Sequence, residues 1–293
     1  MTIATTAVRK ARTLAKLLRY ATANRLSRRV VTDPTGPVVS LTTYGPRVGT
    51  VHLAIESIAA GTLRPCRLIL WLDEVDVLAN PPAALRRLMR RGLEIRATED
   101  YGPHKKYFPY ARSIGSHDAP LVTADDDWFY PRAWLKSLVD VSTSPSGGWS
   151  SAAHRARRVR IEGGSIAPYA RWEVADDSEV TARTIGVGCW GQLLPPAVLD
   201  LAREEGEVFM HRAPRADDIW IHMLTLRAGH LVRTAGVLPD DSFVHIPEPR
   251  GARPLHDENV AGGGNDVQIA KTYGPAEIAA ITGRERHATD PRS

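Results

Sequence analysis

Three consecutive aspartates, Asp125-Asp126-Asp127, follow the apolar stretch Leu121-Val122-Thr123-Ala124 and precede Trp128-Phe129-Tyr130-Pro131. Adjacent carboxylates repel one another, and without a counter-ion that repulsion raises their pKa values. A divalent cation removes the cost. Hard Mg2+ or Mn2+ takes oxygen ligands and shares them with substrate phosphates. The other reading is a solvated acidic turn before a helix, whose N-terminal dipole favours carboxylates. A second acidic pair, Asp217-Asp218, stands before the apolar run that begins at Ile219. It reads either as a helix N-cap pair or as a general base able to take a proton from a hydroxyl. The stretch Asp100-Tyr101-Gly102-Pro103-His104-Lys105-Lys106-Tyr107 carries two lysines. They read as point charges for a diphosphate or sugar nucleotide, or as an exposed basic loop.

Other chemistries lack their residues. The ten histidines include no H-E-x-x-H pair and there is no C-x-x-C, so zinc chemistry has no support. The run Gly262-Gly263-Gly264 lacks a following Lys-Ser/Thr and is no phosphate-binding P-loop, and no G-x-S-x-G elbow occurs. Cys66 and Cys189 are the only cysteines, too few for a disulfide framework and suited to a reducing cytoplasm.

The chain has 293 residues, 43% hydrophobic and 24% charged, enough for one large α/β domain or two small ones. Wholesale disorder, collagen and a pure coiled coil are excluded by that composition. No stretch reaches the roughly 18 apolar residues of a membrane-spanning helix. The net charge of +5 comes largely from Met1–Arg29, which holds eight Lys and Arg residues and no acid. The remainder is near neutral, so no nucleic-acid partner is expected. Val8, Ala11, Leu14, Ala15, Leu18 and Ala21 recur at helical spacing among those basic residues. Such a helix either lies on an anionic membrane surface or packs on the main domain.

Asp33-Pro34-Thr35-Gly36-Pro37 breaks the chain after this arm. Val38–Thr42, Arg67–Leu72, Leu93–Arg96 and Pro120–Thr123 then read as strands, with helices at about 50–60 and after Pro81-Pro82. Alternating strands and helices predict an α/β fold with a mostly parallel sheet and helices on both faces. Ligands in such sheets sit beyond the carboxyl ends of the strands, where Thr42–Arg47, Asp73-Glu74 and Asp125–Asp127 fall. Residues 147–154 and 167–172 suggest short strands or a hairpin, 184–191 is glycine-rich, and helices follow Pro195-Pro196 and span Ile219–Ala228. Beyond Gly251 the chain reads as loop with a polar end at Arg284–Ser293. The division is a basic arm over 1–33, one domain over 34–250, and a loop-rich segment over 251–293.

The order of these pieces resembles bacterial glycosyltransferases of the GT-A fold, close in layout to the family-2 enzymes. Four stretches carry the likeness: Val39–Tyr44 with Leu70-Trp71-Leu72-Asp73; Val122–Asp127 with Tyr130-Pro131; His154-Arg155-Ala156 leading to Pro168–Trp172 and Gly186-Val187-Gly188; and Ala216–Trp220 with Gly229. Together they span roughly residues 38 to 240 in the family's order.

The resemblance implies a Rossmann-like nucleotide-diphospho-sugar transferase. Thr42, Tyr44 and Arg47 would flank the nucleotide, Asp73 would read its base or ribose, and Lys105, Lys106 and Asp126 would join the nucleotide-sugar site. Asp125 and Asp127 would bind Mn2+ or Mg2+ in the manner of a D-x-D motif, although the run of three aspartates permits two registers. Asp218 matches the family's catalytic carboxylate, with Asp217 beside it where the family usually has Glu. The implied reaction moves a sugar, with inversion, to a hydroxyl of a cell-surface glycan or lipid-linked precursor. The enzyme would be cytoplasmic, with its residues 1–29 at the inner membrane face. The alternatives are a metal-dependent sugar-phosphate nucleotidyltransferase and a non-catalytic binder of anionic lipid or nucleic acid.

Overall fold

The computed structural model describes residues 3–143, 148–175, 179–236, 238, 243–251 and 263–283. Gly147, Ser242, Gly262 and the polar end Arg284–Ser293 lie outside them. The first half runs α1 (Ile3–Leu26), β1 (Val38–Thr42), α2 (Val51–Ala59), β2 (Arg67–Leu72), α3 (Val75–Ala79), α4 (Ala83–Met89), β3 (Leu93–Ala97), α5 (Phe108–Ser113) and β4 (Leu121–Ala124). There follow β5 (Trp128–Phe129), α6 (Trp134–Ser142), β6 (Ser151–Ala153), β7 (Ala156–Arg158), β8 (Ile161–Glu162), β9 (Ser165–Ile166), β10 (Glu173–Val174), β11 (Thr184–Gly186) and β12 (Gln192–Leu194). The remainder comprises α7 (Pro196–Glu205), α8 (Phe209–Arg212), α9 (Asp217–Arg227), β13 (Val232–Thr234), β14 (Val244–His245), α10 (Gly264–Thr272) and α11 (Pro275–Thr282).

Seven strands form the central sheet in the order β13-β6-β12-β4-β1-β2-β3. Its pairings are parallel except those of β12, which runs antiparallel to both β4 and β6. β1 is buried along its whole length and β2 along all but its first residue, which is why both read as near-continuous apolar runs. Successive side chains point to opposite faces. Val38, Ile69 and Leu121 therefore join one core with residues of α5, α7 and α9. Val39, Leu68, Leu70 and Val122 join the other with residues of α2, α4 and α6. Helices thus cover both faces, as the alternation of strands and helices predicts.

The second half departs from its sequence reading at three places. Residues 169–171 form a 3-10 turn rather than a strand, because Pro168 lacks an amide donor and the buried Trp172 indole donates to Ala167 O at 2.8 Å. The helix read from Ile219 begins at Asp217. Residues 264–282, read as loop, form α10 and α11. Their glycine and proline entrances hide two short helices that pack on α9 through tertiary contacts, and Glu277 secures α11 by accepting from Gly274 N and Arg227 Nε, each at 2.7 Å.

α1 has two faces. Tyr20 is buried and stacks on Phe129 at 5.4 Å, while Asn24 Nδ2 donates to buried Glu56 at 3.1 Å. Val8, Leu14 and Leu18 face outward and are 55%, 57% and 62% exposed. Glu56 also accepts from the Arg91 guanidinium, whose Nε donates to Arg29 O at 2.7 Å, so one ion pair ties α2 to the chain leaving α1. Breaking a buried pair strands the surviving charge. Glu56→Gln should therefore lower stability by about 3 kcal/mol, toward the low end for such a loss because the amide keeps some hydrogen bonding. Urea denaturation checks this; an unchanged midpoint would show that the pair adds nothing.

Candidate functional site

Register assembles the site. β1 and β4 pair Leu41 with Ala124, so two steps beyond that pair Thr43 falls opposite Asp126. There Thr43 Oγ1 donates to Asp126 Oδ2 at 2.5 Å. Thr42, one residue earlier, spends its hydroxyl within the sheet on Trp71 O at 2.9 Å. Beyond β1 the 3-10 turn Gly45–Gly49 carries Arg47. Its Gly45 amide donates to the Glu74 carboxylate at the end of β2, which fixes the turn.

The three adjacent aspartates fan out in different directions. Asp125 pairs with Lys106 Nζ at 2.5 Å, and that ammonium lies 3.5 Å from Asp217. Asp126 and Asp127 both accept from Arg47 Nη1 at 3.0 Å. Arg47 also grips Glu248, with Nη2 to Oε1 at 2.5 Å. The antiparallel β5–β14 pair sets His245 opposite Trp128, and Ile246 N donates to Asp127 O at 2.7 Å. His245 Nε2 then lies 3.6 Å from Asp127 Oδ2 and 3.7 Å from Glu248 Oε1.

The protonation of these groups follows from their surroundings. Burial pushes Asp125 up to about 6 against the pull of Lys106, and burial also raises Asp126 despite Arg47. Asp127 is held below the usual range: burial works against its charge, but His245 and Arg47 outweigh it. Burial opposes the charge of Lys106 too, yet Asp125 and Asp217 keep it firmly cationic. His245 is raised by its contact with Asp127.

At the start of α9 the acidic pair caps nothing. Ala216 is the N-cap residue, and no side chain closes that end. Asp218 Oδ1 instead accepts from Gly188 N and Gln192 Nε2, each at 2.8 Å. A Cβ at position 188 would sit 3.0 Å from that oxygen, so glycine is what permits the close approach. Burial, reinforced by the neighbouring charge of Asp217, raises the Asp218 carboxyl well above its ordinary range. Such a carboxylate is a stronger base than one in water.

The remaining sequence-selected residues lie around this centre. Lys105 is buried and pairs with Asp73 at 2.7 Å and Asp100 at 3.2 Å, so it is no free phosphate ligand here. Tyr44 is partly exposed beside Arg47, whose guanidinium carbon lies 6.0 Å from its ring centre. His104 is a structural residue: its Nε2–H donates to Ala213 O at 2.7 Å, and burial lowers its pKa to about 4. Sequence reasoning missed Glu248 and Gln192. No local signal marks these residues, since each is recruited by strand pairing.

A cation fits one part of the cluster. Asp127, His245 and Glu248 each present a ligand atom within 4.8 Å of the others. Asp127 Oδ1 is buried with no hydrogen-bond partner, a costly arrangement that a cation would relieve. Nitrogen and carboxylate oxygen together suit Mn2+ well and Mg2+ acceptably. Asp125 turns instead toward Lys106 and Asp217.

No protein-family model matches the chain, and no curated protein matches it in sequence. Among solved structures it is similar to a mannosyltransferase of Pyrobaculum calidifontis in complex with GDP-Man and Mn2+. The TM-score is 0.52 at 18% identity, over 96% of this chain and 78% of that one. It is also matched to a CMP:2-keto-3-deoxy-manno-octonic acid synthetase complexed with CTP, at TM-score 0.39 and 13% identity over 69% of this chain and 89% of that one. An inositol-1-phosphate CTP transferase of T. maritima matches at TM-score 0.39 and 10% identity over 79% of this chain and 98% of that one. At these identities likeness speaks to fold, and only the first is near enough to carry weight. The architecture is α/β and Rossmann-like: a mostly parallel seven-strand sheet with helices on both faces, a fold similar to that of the mannosyltransferase.

Proposed function

We propose that this chain is a metal-dependent inverting glycosyltransferase, similar to the family-2 enzymes. It would move a sugar from a nucleotide-diphosphate-sugar to a hydroxyl of a glycan or lipid-linked precursor. One observation carries the reading: Lys106 bridges Asp125 and Asp217, so the strand-end carboxylates and the α9 acidic pair share one site. In this reading a bound Mn2+ or Mg2+, held by Asp127 with His245 and Glu248, supplies positive charge to the departing diphosphate. Arg47 and Lys106 add fixed positive charge beside those phosphates. Asp73 and Tyr44 border the nucleotide. Asp218, oriented by Gly188 N–H and Gln192, takes the proton from the acceptor hydroxyl as that oxygen attacks the anomeric carbon. Asp217 and Lys106 set the charge around it.

The test is a panel of nucleotide sugars with Mn2+, assayed for nucleoside diphosphate release in the presence of glycan and lipid-linked acceptors. Pyrophosphate release from a nucleoside triphosphate and a sugar phosphate would instead establish nucleotidyl transfer. The GDP-Man and Mn2+ bound in the P. calidifontis mannosyltransferase make GDP-sugars the natural first set.

Among the described residues no helix is long and apolar enough to cross a membrane. We propose that α1 instead rests on the cytoplasmic membrane face. Its outward Val8, Leu14 and Leu18 are flanked by Lys10, Arg12 and Arg19, a pairing of apolar surface and basic charge suited to anionic lipid. Leu14→Glu with Leu18→Glu should abolish flotation with phosphatidylglycerol vesicles while leaving the fold intact, since both side chains point to solvent. Undiminished flotation would reject the contact.

A further inference from the structure

The oxygens of the candidate cation site are already in use. Those nearest His245 Nε2 are Asp127 Oδ2 at 3.6 Å and Glu248 Oε1 at 3.7 Å. Arg47 holds both: Nη1 donates to Asp127 Oδ2 at 3.0 Å and Nη2 to Glu248 Oε1 at 2.5 Å. Its Nε donates to the second oxygen of Glu248 at 3.2 Å, so that carboxylate is gripped along a whole edge of the guanidinium. A divalent cation among Asp127, His245 and Glu248 would share these oxygens with a charge of its own sign at close range. One of the two has to give way.

Asp126 differs from its neighbour. It is buried and lies outside the group of three, and Thr43 Oγ1 and Arg47 Nη1 donate to it at 2.5 and 3.0 Å. The backbone beneath Arg47 is also tied: its carbonyl accepts from Thr50 N at 2.9 Å and from Thr50 Oγ1 at 3.1 Å. Any displacement therefore falls on the side chain, with Asp126 as the pivot. Nη1 keeps a partner there, while Nε and Nη2 lose theirs. A free N–H edge of a guanidinium matches two oxygens of a phosphate group.

We propose that Arg47 is the exchangeable counter-ion of this site. It yields Asp127 and Glu248 to a divalent cation, stays anchored on Asp126, and turns its freed Nε–Nη2 edge to the diphosphate of the donor. The hand-over to the diphosphate rests on the glycosyltransferase reading above; the exchange with the cation does not. The two binding events are then coupled, each favouring the other by the same factor. Cation binding frees the edge that holds the phosphates, and bound phosphates keep Arg47 off the oxygens that the cation uses.

Calorimetric titration of the full-length chain with Mn2+, without donor, tests the exchange. Arg47→Met should tighten Mn2+ binding by at least about tenfold, the worth of one charge-assisted hydrogen bond no longer competed for. Arg47→Lys keeps the charge but cannot grip a carboxylate along an edge, so it should tighten binding too, by less. Unchanged or weaker binding in Arg47→Met would make Arg47 a support for the carboxylates and overturn the proposal. Parent affinity in Arg47→Lys, with a gain only in Arg47→Met, would reduce Arg47 to a point charge and overturn the exchange. In the parent protein the Arg47 Nε–H resonance, identified by its loss in Arg47→Lys, should shift on saturation with diamagnetic Mg2+. That of Arg91, whose Nε donates to Arg29 O, should stay. An Arg47 resonance that does not move overturns the exchange as well. Any of GDP, UDP and CDP that tightens Mn2+ binding to the parent should do so at least about fivefold less in Arg47→Met, the low end for coupled sites. Equal tightening overturns the hand-over alone. No tightening by any of the three would count against the catalytic reading and not against the exchange.

Discussion

Asp218→Asn should lower turnover by about 10²–10⁴-fold, the usual contribution of a positioned general base, while donor affinity stays within about twofold of the parent. The amide fills the same space and can still accept from Gly188 N, so the loop keeps its shape. What disappears is the ability to take a proton. The sign of the pH effect follows from the raised carboxyl. Asp218 acts only when deprotonated, so kcat/KM should rise with pH on the acid side as this buried group ionises. In Asp218→Asn that acid limb should flatten, a change that a merely structural role would not cause. Near-parent turnover, or an unaltered limb, removes Asp218 from the mechanism.

The second large effect falls on metal binding. Asp127→Ala should weaken Mn2+ binding by at least about 100-fold, because a carboxylate ligand is lost outright and not merely a supporting contact. Asp127 is also the member of the acidic run whose carboxyl is held below the ordinary range, by His245 and Arg47. Glu248→Gln and His245→Ala should each weaken binding as well. Asp125→Asn should do so less, since Asp125 belongs to Lys106 and Asp217. Calorimetric titration with Mn2+ in the absence of donor reads these affinities directly. Equal losses at Asp125 and Asp127 would restore a metal site shared by both ends of the acidic run. No loss at His245 or Glu248 would leave the cluster as an ion-pair network around Arg47.

Arg47 sharpens that second test. Its guanidinium already pairs with Asp126, Asp127 and Glu248, so a cation and Arg47 compete for the same carboxylates. Part of the cost that raises the pKa of crowded carboxylates is therefore met within the chain.

The first half of the molecule was legible from sequence for a physical reason. Strands such as Val38–Thr42 and Arg67–Leu72 are buried on both faces, and burial on both faces demands a near-continuous apolar run that is visible in the sequence. Polar and acidic residues then mark where each run stops, so the strand ends and the carboxylates beyond them could be named. The second half offered shorter signals. β6, β11 and β12 are three residues each, and α10 and α11 are made stable by packing on α9 rather than by their own pattern.

The sequence determined by itself that carboxylates would gather at the tips of parallel strands, because local periodicity fixes where a strand ends. Only the tertiary structure decided which way each carboxylate turns. Asp125, Asp126 and Asp127 are neighbours along the chain, yet they answer to Lys106, to Thr43 and Arg47, and to His245. Those partners arrive through the β1–β4 register and the β5–β14 pairing, contacts between segments far apart in the chain. Periodicity along a segment is local information, whereas the field at a side chain is set by whatever folding brings beside it.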